Sequence, residues 1–246
     1  MSNDLETKLL NTQKELEALR ADFNEFAYVV SHDLAAPFRQ IIGFSEIIKE
    51  RCGDKFDDKT SHHFDLILNG SKSGSRMIEA LLSYSRLCTN KLGLTSADCN
   101  DIVENVLESL APLIHDGNAD IKSGNLPIVE ADVNQLETLL HQLFHNALLN
   151  RRPGIPLVIC LDHVENECDW EFCLTDNGIG IPENQQSNVF LVLRRGVTDK
   201  SPDRMGMGLA IAKRIVQNHG GNIWLDSNGH NGCSIYFSLP KNVIVT

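Results

Sequence analysis

Seam positions near the start of the chain recur in steps of four and three: Leu5, Leu9, Thr12, Leu16, Leu19, Phe23, Phe26 and Val30. Glu, Lys, Asp and Arg fill most positions between them. This rhythm gives a narrow seam that a lone helix cannot bury, so it predicts a coiled-coil helix with a partner. A second helical stretch runs from about Lys59 to about Leu87, with Phe64, Ile67, Leu68, Ile78, Leu81 and Leu82 on one side. Between the two, Cys52–Asp58 reads as a turn, with Gly53 as the helix stop. Two long antiparallel helices with leftover apolar seams predict a four-helix bundle formed by two chains, hence a homodimer.

Beyond residue 90 the pattern changes. Strand-like pieces lie at Leu157–His163, Asp169–Thr175, Asn222–Asp226 and Cys233–Leu239. Helical pieces lie near Ile102–His115, Asn134–Asn150 and Leu209–His219. Trp170, Phe172 and Leu174 alternate with period two, as a half-buried strand should. Gly220-Gly221, Asn228-Gly229 and Asn231-Gly232 punctuate the C-terminal strands. The expected organisation is a helical domain over residues 1–90 and a mixed α/β domain over 96–246, joined near Thr89–Ser96.

Composition narrows the function classes. The 246 residues carry 33 acids against 22 bases, a net charge of -11. Such a field repels phosphate backbones and anionic membrane surfaces, so no nucleic-acid partner is expected. No apolar run approaches the ~18 residues of a membrane span, and the N-terminus lacks a signal-peptide pattern. The seven cysteines include no C-x-x-C pair and read as reduced thiols, which points to the cytoplasm. Yet Arg194, Arg195, Lys200 and Arg204 cluster within eleven positions of the more acidic half. A basic loop on an acidic domain suits a compact anionic ligand.

Four constellations carry candidate chemistry. In Ser31-His32-Asp33-Leu34-Ala35-Ala36-Pro37-Phe38, His32 follows the seam residue Val30 by about 200° of helix and is expected to face solvent. Asp33 could accept its Nδ1 proton and leave Nε2 nucleophilic; the bland reading is a solvated pair. Pro37 removes the hydrogen bond to the Asp33 carbonyl. In Asp176-Asn177-Gly178-Ile179-Gly180-Ile181-Pro182, the glycines admit a ligand against the backbone and the strand-end carboxylate can accept from an amino group. In Arg204-Met205-Gly206-Met207-Gly208, the glycines open a helix whose first amides suit phosphate oxygens. Either glycine pair alone is a weak signal that turn chemistry also explains; together, flanking the basic loop, they point to a nucleotide site. His141 and His145 stand at i and i+4, but a zinc protease needs Glu where Gln142 stands, so a half-buried helix face is the better reading. Asn146 offers a neutral oxygen that suits a phosphate-bound magnesium.

The order of these motifs resembles the transmitter core of sensor histidine kinases, particularly the phytochrome-like group. Phe26–Phe38 is similar to the H box, Leu139–Asn150 to the N box and Asp176–Pro182 to the first glycine box. Val189–Arg195 is similar to the F box and Arg204–Lys213 to the second glycine box. The resemblance implies a helical hairpin dimerising into a four-helix bundle, followed by a GHKL (Bergerat) α/β sandwich. It implies His32 as phosphoacceptor polarised by Asp33, and Asn146 as magnesium ligand. Asp176 would recognise the adenine amino group, with Gly178 and Gly180 shaping the pocket. Gln142, Arg195, Arg204, Gly206 and Gly208 would complete the nucleotide site, and Gly196–Met205 matches the mobile lid. ATP and Mg2+ are the implied cofactors. A response regulator receiver domain and an upstream sensor domain or sensor protein are the implied partners. A start at Met1 inside a coiled coil points to a fragment or to a subunit driven by another protein.

Departures from the family pattern define the alternative. Gln142 replaces an asparagine, Leu149 stands where a lysine is usual, and Asn150 stands where an aromatic ring often meets adenine. Arg204 replaces a glycine, and Leu193 a phenylalanine. One lost charged contact costs about 1.5–3 kcal/mol, roughly ten- to a hundredfold in affinity. A degenerate kinase acting as a phosphotransfer or scaffold protein is therefore the second reading, and an ATP-driven GHKL clamp the third. The intact Asp176 and glycines oppose the second.

Family members that dephosphorylate their receiver place Thr or Asn four positions after the histidine. Here that position is Ala36, which offers water no hydrogen bond. Ala36→Thr is expected to speed phosphate loss from purified phospho-receiver severalfold while leaving His32 labelling unchanged. Strong receiver phosphatase activity in the unmodified protein, independent of His32, would refute this.

Overall fold

A computed structural model describes residues 2–89, 92–193 and 206–241. Several side chains before residue 33, those of Ser31 and His32 among them, fall outside the description. The described residues form two compact units, residues 2–89 and the remainder. No helix among them is long and apolar enough to cross a membrane.

The first unit is a helical hairpin. Helix α1 (Ser2–Cys52) runs without interruption through Pro37, and α2 (Asp58–Thr89) returns after a single 3-10 turn at Gly53–Lys55. Asp57 caps the return: its Oδ1 accepts from the Thr60 amide at 2.8 Å. The hairpin packs through small residues. Ser45, Ser71 and Ser85 are buried, as are Ala35 and Ile78, and at Gly74 a Cβ would stand 2.5 Å from the Phe38 ring. Lys49 bonds Asp65 at 2.6 Å and Lys72 bonds Glu46 at 2.7 Å across the helices. Both pairs are exposed, so each contributes at most about 1 kcal/mol. Leu34, Ile41, Phe44, Ile48, Leu66 and Ile67 remain exposed in the single chain.

The second unit is an α/β sandwich. Its elements are β1 (Thr95–Asp98), α3 (Cys99–Ser109), α4 (Ala111–Gly117), β2 (Asp120–Ser123), β3 (Ile128–Ala131) and α5 (Val133–Leu149). There follow β4 (Val158–Glu165), β5 (Asp169–Asp176), α6 (Glu183–Gln186), α7 (Gly208–Asn218), β6 (Ile223–Asp226) and β7 (Cys233–Pro240). Strands β1 and β3 pair alone, while the main sheet has the order β2-β4-β5-β7-β6. Only β2 and β4 in that sheet run parallel. Alternation buries one face: Ile159 and Leu161, Phe172 and Leu174, Ile235 and Phe237. Ile102, Val103 and Val106 of α3, Leu139, Leu140, Leu143 and Phe144 of α5, and Ala212, Ile215 and Val216 of α7 complete this core.

Two features depart from the periodicity. The helix expected over Ile102–His115 is broken at Leu110, because Pro112 at the start of α4 has no N–H to continue the ladder. Three four-residue strands, β1, β2 and β3, form where no alternation announced them.

The Gly220-Gly221 pair does more than end a helix. A Cβ on Gly221 would overlap the Ser238 carbonyl oxygen, a backbone atom that cannot step aside. Gly221→Ala should therefore cost about 2 kcal/mol or more, read as a lowered thermal midpoint; an unchanged melting curve would contradict the packing.

Candidate functional site

The site is built on an alternation that runs one step too far for hydrophobicity. Phe172 and Leu174 of β5 face the helices, and two residues on the same face receives Asp176, only 6% exposed. Burial raises its pKa from the ordinary carboxylate value, opposed by the Gly178 and Cys233 amides. The Gly178 N–H donates to Oδ1 at 2.8 Å. A carboxylate drawn out of water and left with acceptor capacity selects a ligand that brings N–H donors.

Backbones surround this carboxylate at close range. A Cβ on Gly178 would strike the Asn150 carbonyl and lie 2.8 Å from the Asp176 carboxylate. Gly180, at φ +73, would bring a Cβ within 2.9 Å of the His230 amide nitrogen. The Ile179 amide donates to the Asn150 carbonyl at 2.8 Å. Asn177 bonds both ways to the entry of β4: its Oδ1 accepts from Val158 N–H, and its Nδ2 donates to the Pro156 carbonyl, both at 2.9 Å. Arg152 Nε donates to the Asn177 carbonyl at 2.9 Å. On the far side Ser227 Oγ accepts from Ile181 N–H at 2.9 Å and donates to the Gly232 carbonyl at 2.8 Å.

Helices α5 and α7 form the adjoining wall. A Cβ on Gly208 would stand 2.7 Å from Gln142 Oε1, so the amide of one helix lies against the first turn of the other. Asn150 Nδ2 donates to the Asn146 carbonyl at 2.7 Å and to its Oδ1 at 3.0 Å. The position where the family's aromatic ring was expected thus holds an amide that orients Asn146 instead. An amide oxygen has a second lone pair, so Asn146 still fits a hard cation. Leu149 is half-buried at the end of α5. His141 and His145 stack with centroids 5.8 Å apart, and burial lowers the His141 pKa, with Glu137 opposing. Lys213 of α7 lies 5.9 Å from the Phe190 ring centroid.

The structure brings Asp176, Gly178 and Gly180 together in one loop and sets Gln142 against Gly208. Gly206 is half-buried at φ +67. Arg195, Arg204 and the expected lid Gly196–Met205 lie outside the described residues. Asp33 is exposed in the hairpin unit. Sequence reasoning missed Arg152, Asn177 and Ser227, whose partners lie 25, 19 and 46 positions away. Only the turn-like Asn177 carried any signal.

Known proteins resemble this chain in both of its units. The His Kinase A (phospho-acceptor) domain model matches residues 24–89. The model for histidine kinase-, DNA gyrase B-, and HSP90-like ATPases matches residues 131–243. Over 95% of its length the chain is 32% identical to phytochrome-like protein Cph1 of Synechocystis sp., covering 31% of that protein. It is 30% identical to cyanobacterial phytochrome A of Nostoc sp., covering 30% of it. The chain thus spans about a third of the length of these relatives. In fold it is similar to full-length ShkA, crystallised with AMPPNP: TM-score 0.67, 19% identity, 90% of this chain and 47% of that one. It is also similar to histidine kinase ThkA, crystallised with the response regulator protein TrrA: TM-score 0.62, 22% identity, 94% and 66%.

A buried carboxylate whose folded pKa is raised contributes stability below its unfolded value near 3.8 and loses it as pH rises through the folded pKa. Ionisation of Asp176 as pH rises through that folded pKa therefore weakens the ligand-free domain. Asp176→Asn should melt no lower than the parent at pH 7, with any advantage shrinking toward pH 4, while losing affinity for a fluorescent ATP analogue. Unchanged analogue binding would place the pocket elsewhere.

Proposed function

Because the chain belongs to the sensor histidine kinases, we propose that it transfers the γ-phosphoryl group of ATP to His32 and from there to an aspartate of a response regulator. The observation that carries the reading is the buried Asp176 beside Gly178, a donor-selective pocket with no room for a side chain, on a chain that also carries a His-Asp pair. Residues 1–90 act as the dimerisation and phosphoacceptor domain, and residues 96–246 as the ATP-binding domain.

Each residue has a definite task. Asp176 accepts the adenine amino group, and Gly178 and Gly180 let the base lie against backbone. Gln142, Gly206 and Gly208 border the phosphates, with Arg195 and Arg204 supplying positive charge. Asn146 would hold Mg2+, which neutralises phosphate charge when bound. Asp33 holds the imidazole proton of His32, leaving the other nitrogen free to attack. That nitrogen forms the new N–P bond as the bond from Pγ to the β,γ-bridging oxygen breaks, and ADP leaves with the electron pair. Attack by a receiver carboxylate then forms an acyl phosphate and returns the free imidazole. Positioning and charge neutralisation dominate such transfers.

The exposed Leu34, Ile41, Phe44, Ile48, Leu66 and Ile67 support a homodimer, in which a second hairpin covers them. An upstream sensor domain or sensor protein acts through the N-terminal seam of α1. The cytoplasm, where ATP and receivers meet, is the proposed location.

His32→Gln should abolish acid-labile, base-stable label from radioactive ATP while leaving analogue binding within about twofold, a change worth less than ~0.5 kcal/mol. Persisting acid-labile label in that variant would move the phosphoacceptor elsewhere.

A further inference from the structure

The nucleotide reading places ligand at the meeting of Gln142 and Gly208 but leaves open what sets their separation. The answer lies at the opposite ends of the same two helices. Helices α5 and α7 run antiparallel, so the start of α5 meets the end of α7. There His219, only 1% exposed, accepts at Nε2 from the Asp132 N–H at 3.1 Å. Its Nδ1 lies 2.8 Å from the Ile215 carbonyl oxygen. A backbone N–H can only donate and a carbonyl can only accept, so the partners fix one form: proton on Nδ1, bare Nε2, no net charge. Burial agrees, holding the imidazole pKa below its ordinary value, while the Ile215 carbonyl and Asp132 pull the other way.

Asp132 is itself fully engaged. Its Oδ1 caps α5 by accepting from Gln135 N–H at 3.1 Å, and its Oδ2 accepts from Gly93 N–H at 3.0 Å. A second link lies alongside: Asn218 Nδ2 donates to Gln135 Oε1 at 3.2 Å. From Asp132 to Gln142 is about 15 Å along the helix, and Gly208 to His219 is a similar length of α7. A shift permitted at the pinned end is therefore delivered at the ligand end.

We infer that His219 is a positioning residue: its neutral imidazole pins α7 to the cap of α5, and this joint sets the approach of Gln142 to Gly208 on which nucleotide affinity depends. The inference rests on the nucleotide reading above. It reaches beyond it by assigning a role in affinity to a residue remote from the ligand.

Two conservative variants separate the two bonds of the ring. His219→Gln carries an amide to the Nε2 position and can still accept from Asp132; His219→Asn reaches only the Nδ1 position and keeps Ile215. Binding of a fluorescent ATP analogue to the full chain should weaken about tenfold in His219→Asn, the loss of roughly one well-made buried hydrogen bond. His219→Gln should restore most of it. In a double-mutant cycle, Gln142→Ala should weaken binding less in the His219→Asn background than in the parent, because both act on one joint. Equal affinity of folded His219→Asn and parent, or strictly additive effects with Gln142→Ala, would overturn this role. A parent that binds no analogue would overturn the nucleotide reading and this role with it.

Discussion

Three stretches of backbone converge on Asp176 closer than side chains allow, and the rest of the second unit accommodates that convergence. The end of α5 arrives through Asn150, the exit of β5 through Gly178 and Gly180, and the turn between β6 and β7 through Gly229 and Gly232. On Gly232 a Cβ would overlap the Asp176 carbonyl oxygen itself. Polar backbone brought together away from water must be paired. Arg152, Asn177 and Ser227 do that pairing: Arg152 takes the Asn177 carbonyl, Asn177 ties the exit of β5 to the entry of β4, and Ser227 joins Ile181 to Gly232. The result is a rigid rim in which one carboxylate is buried with spare acceptor capacity.

The two units solve burial differently. The sandwich closes on itself: its large side chains, Phe144, Phe172 and Phe237 among them, are fully buried within one chain. The hairpin uses serines and glycines where its helices touch and leaves large apolar residues outside, Phe44 at 65% exposure. One unit closes its core within a single chain, whereas the other leaves outside it apolar surface of the kind that association buries.

Much of this was legible in the residues, and the exceptions have physical causes. Strands β4, β5 and β7 and helices α5 and α7 are long enough for period to speak, and their observed ends fall within two residues of the expected ones. Strands β1 to β3 have four residues each, too few for alternation to stand out, and β1 buries only Ala97 fully. The break at Leu110 follows from Pro112, a signal present in the sequence but overridden by the apolar spacing around it. The close approaches at Gly178, Gly180 and Gly208 were legible because two glycine pairs flank one basic loop, although either pair alone reads as turn chemistry. Arg152, Ser227 and His219 were not, since their meaning lies in partners that only the folded chain brings near. Asn150 was read for the ring it lacks, and its pairing with Asn146 appeared only in three dimensions.

The position of β7 in the sheet has a consequence for biosynthesis. Of the strands in this sheet β7 is synthesised last, yet it lies between β5 and β6 and pairs with both. Until residues 232–240 are available, β5 lacks one of its two neighbours, and the rim around Asp176 lacks Gly232. Domains fold as units during synthesis at roughly 5–20 residues per second. The hairpin can thus form several seconds before the sandwich can close. A chain interrupted before β7 would carry a complete hairpin and a sheet split between β5 and β6. The topology delays closure of the Asp176 rim until the strand that joins β5 to β6 has been made.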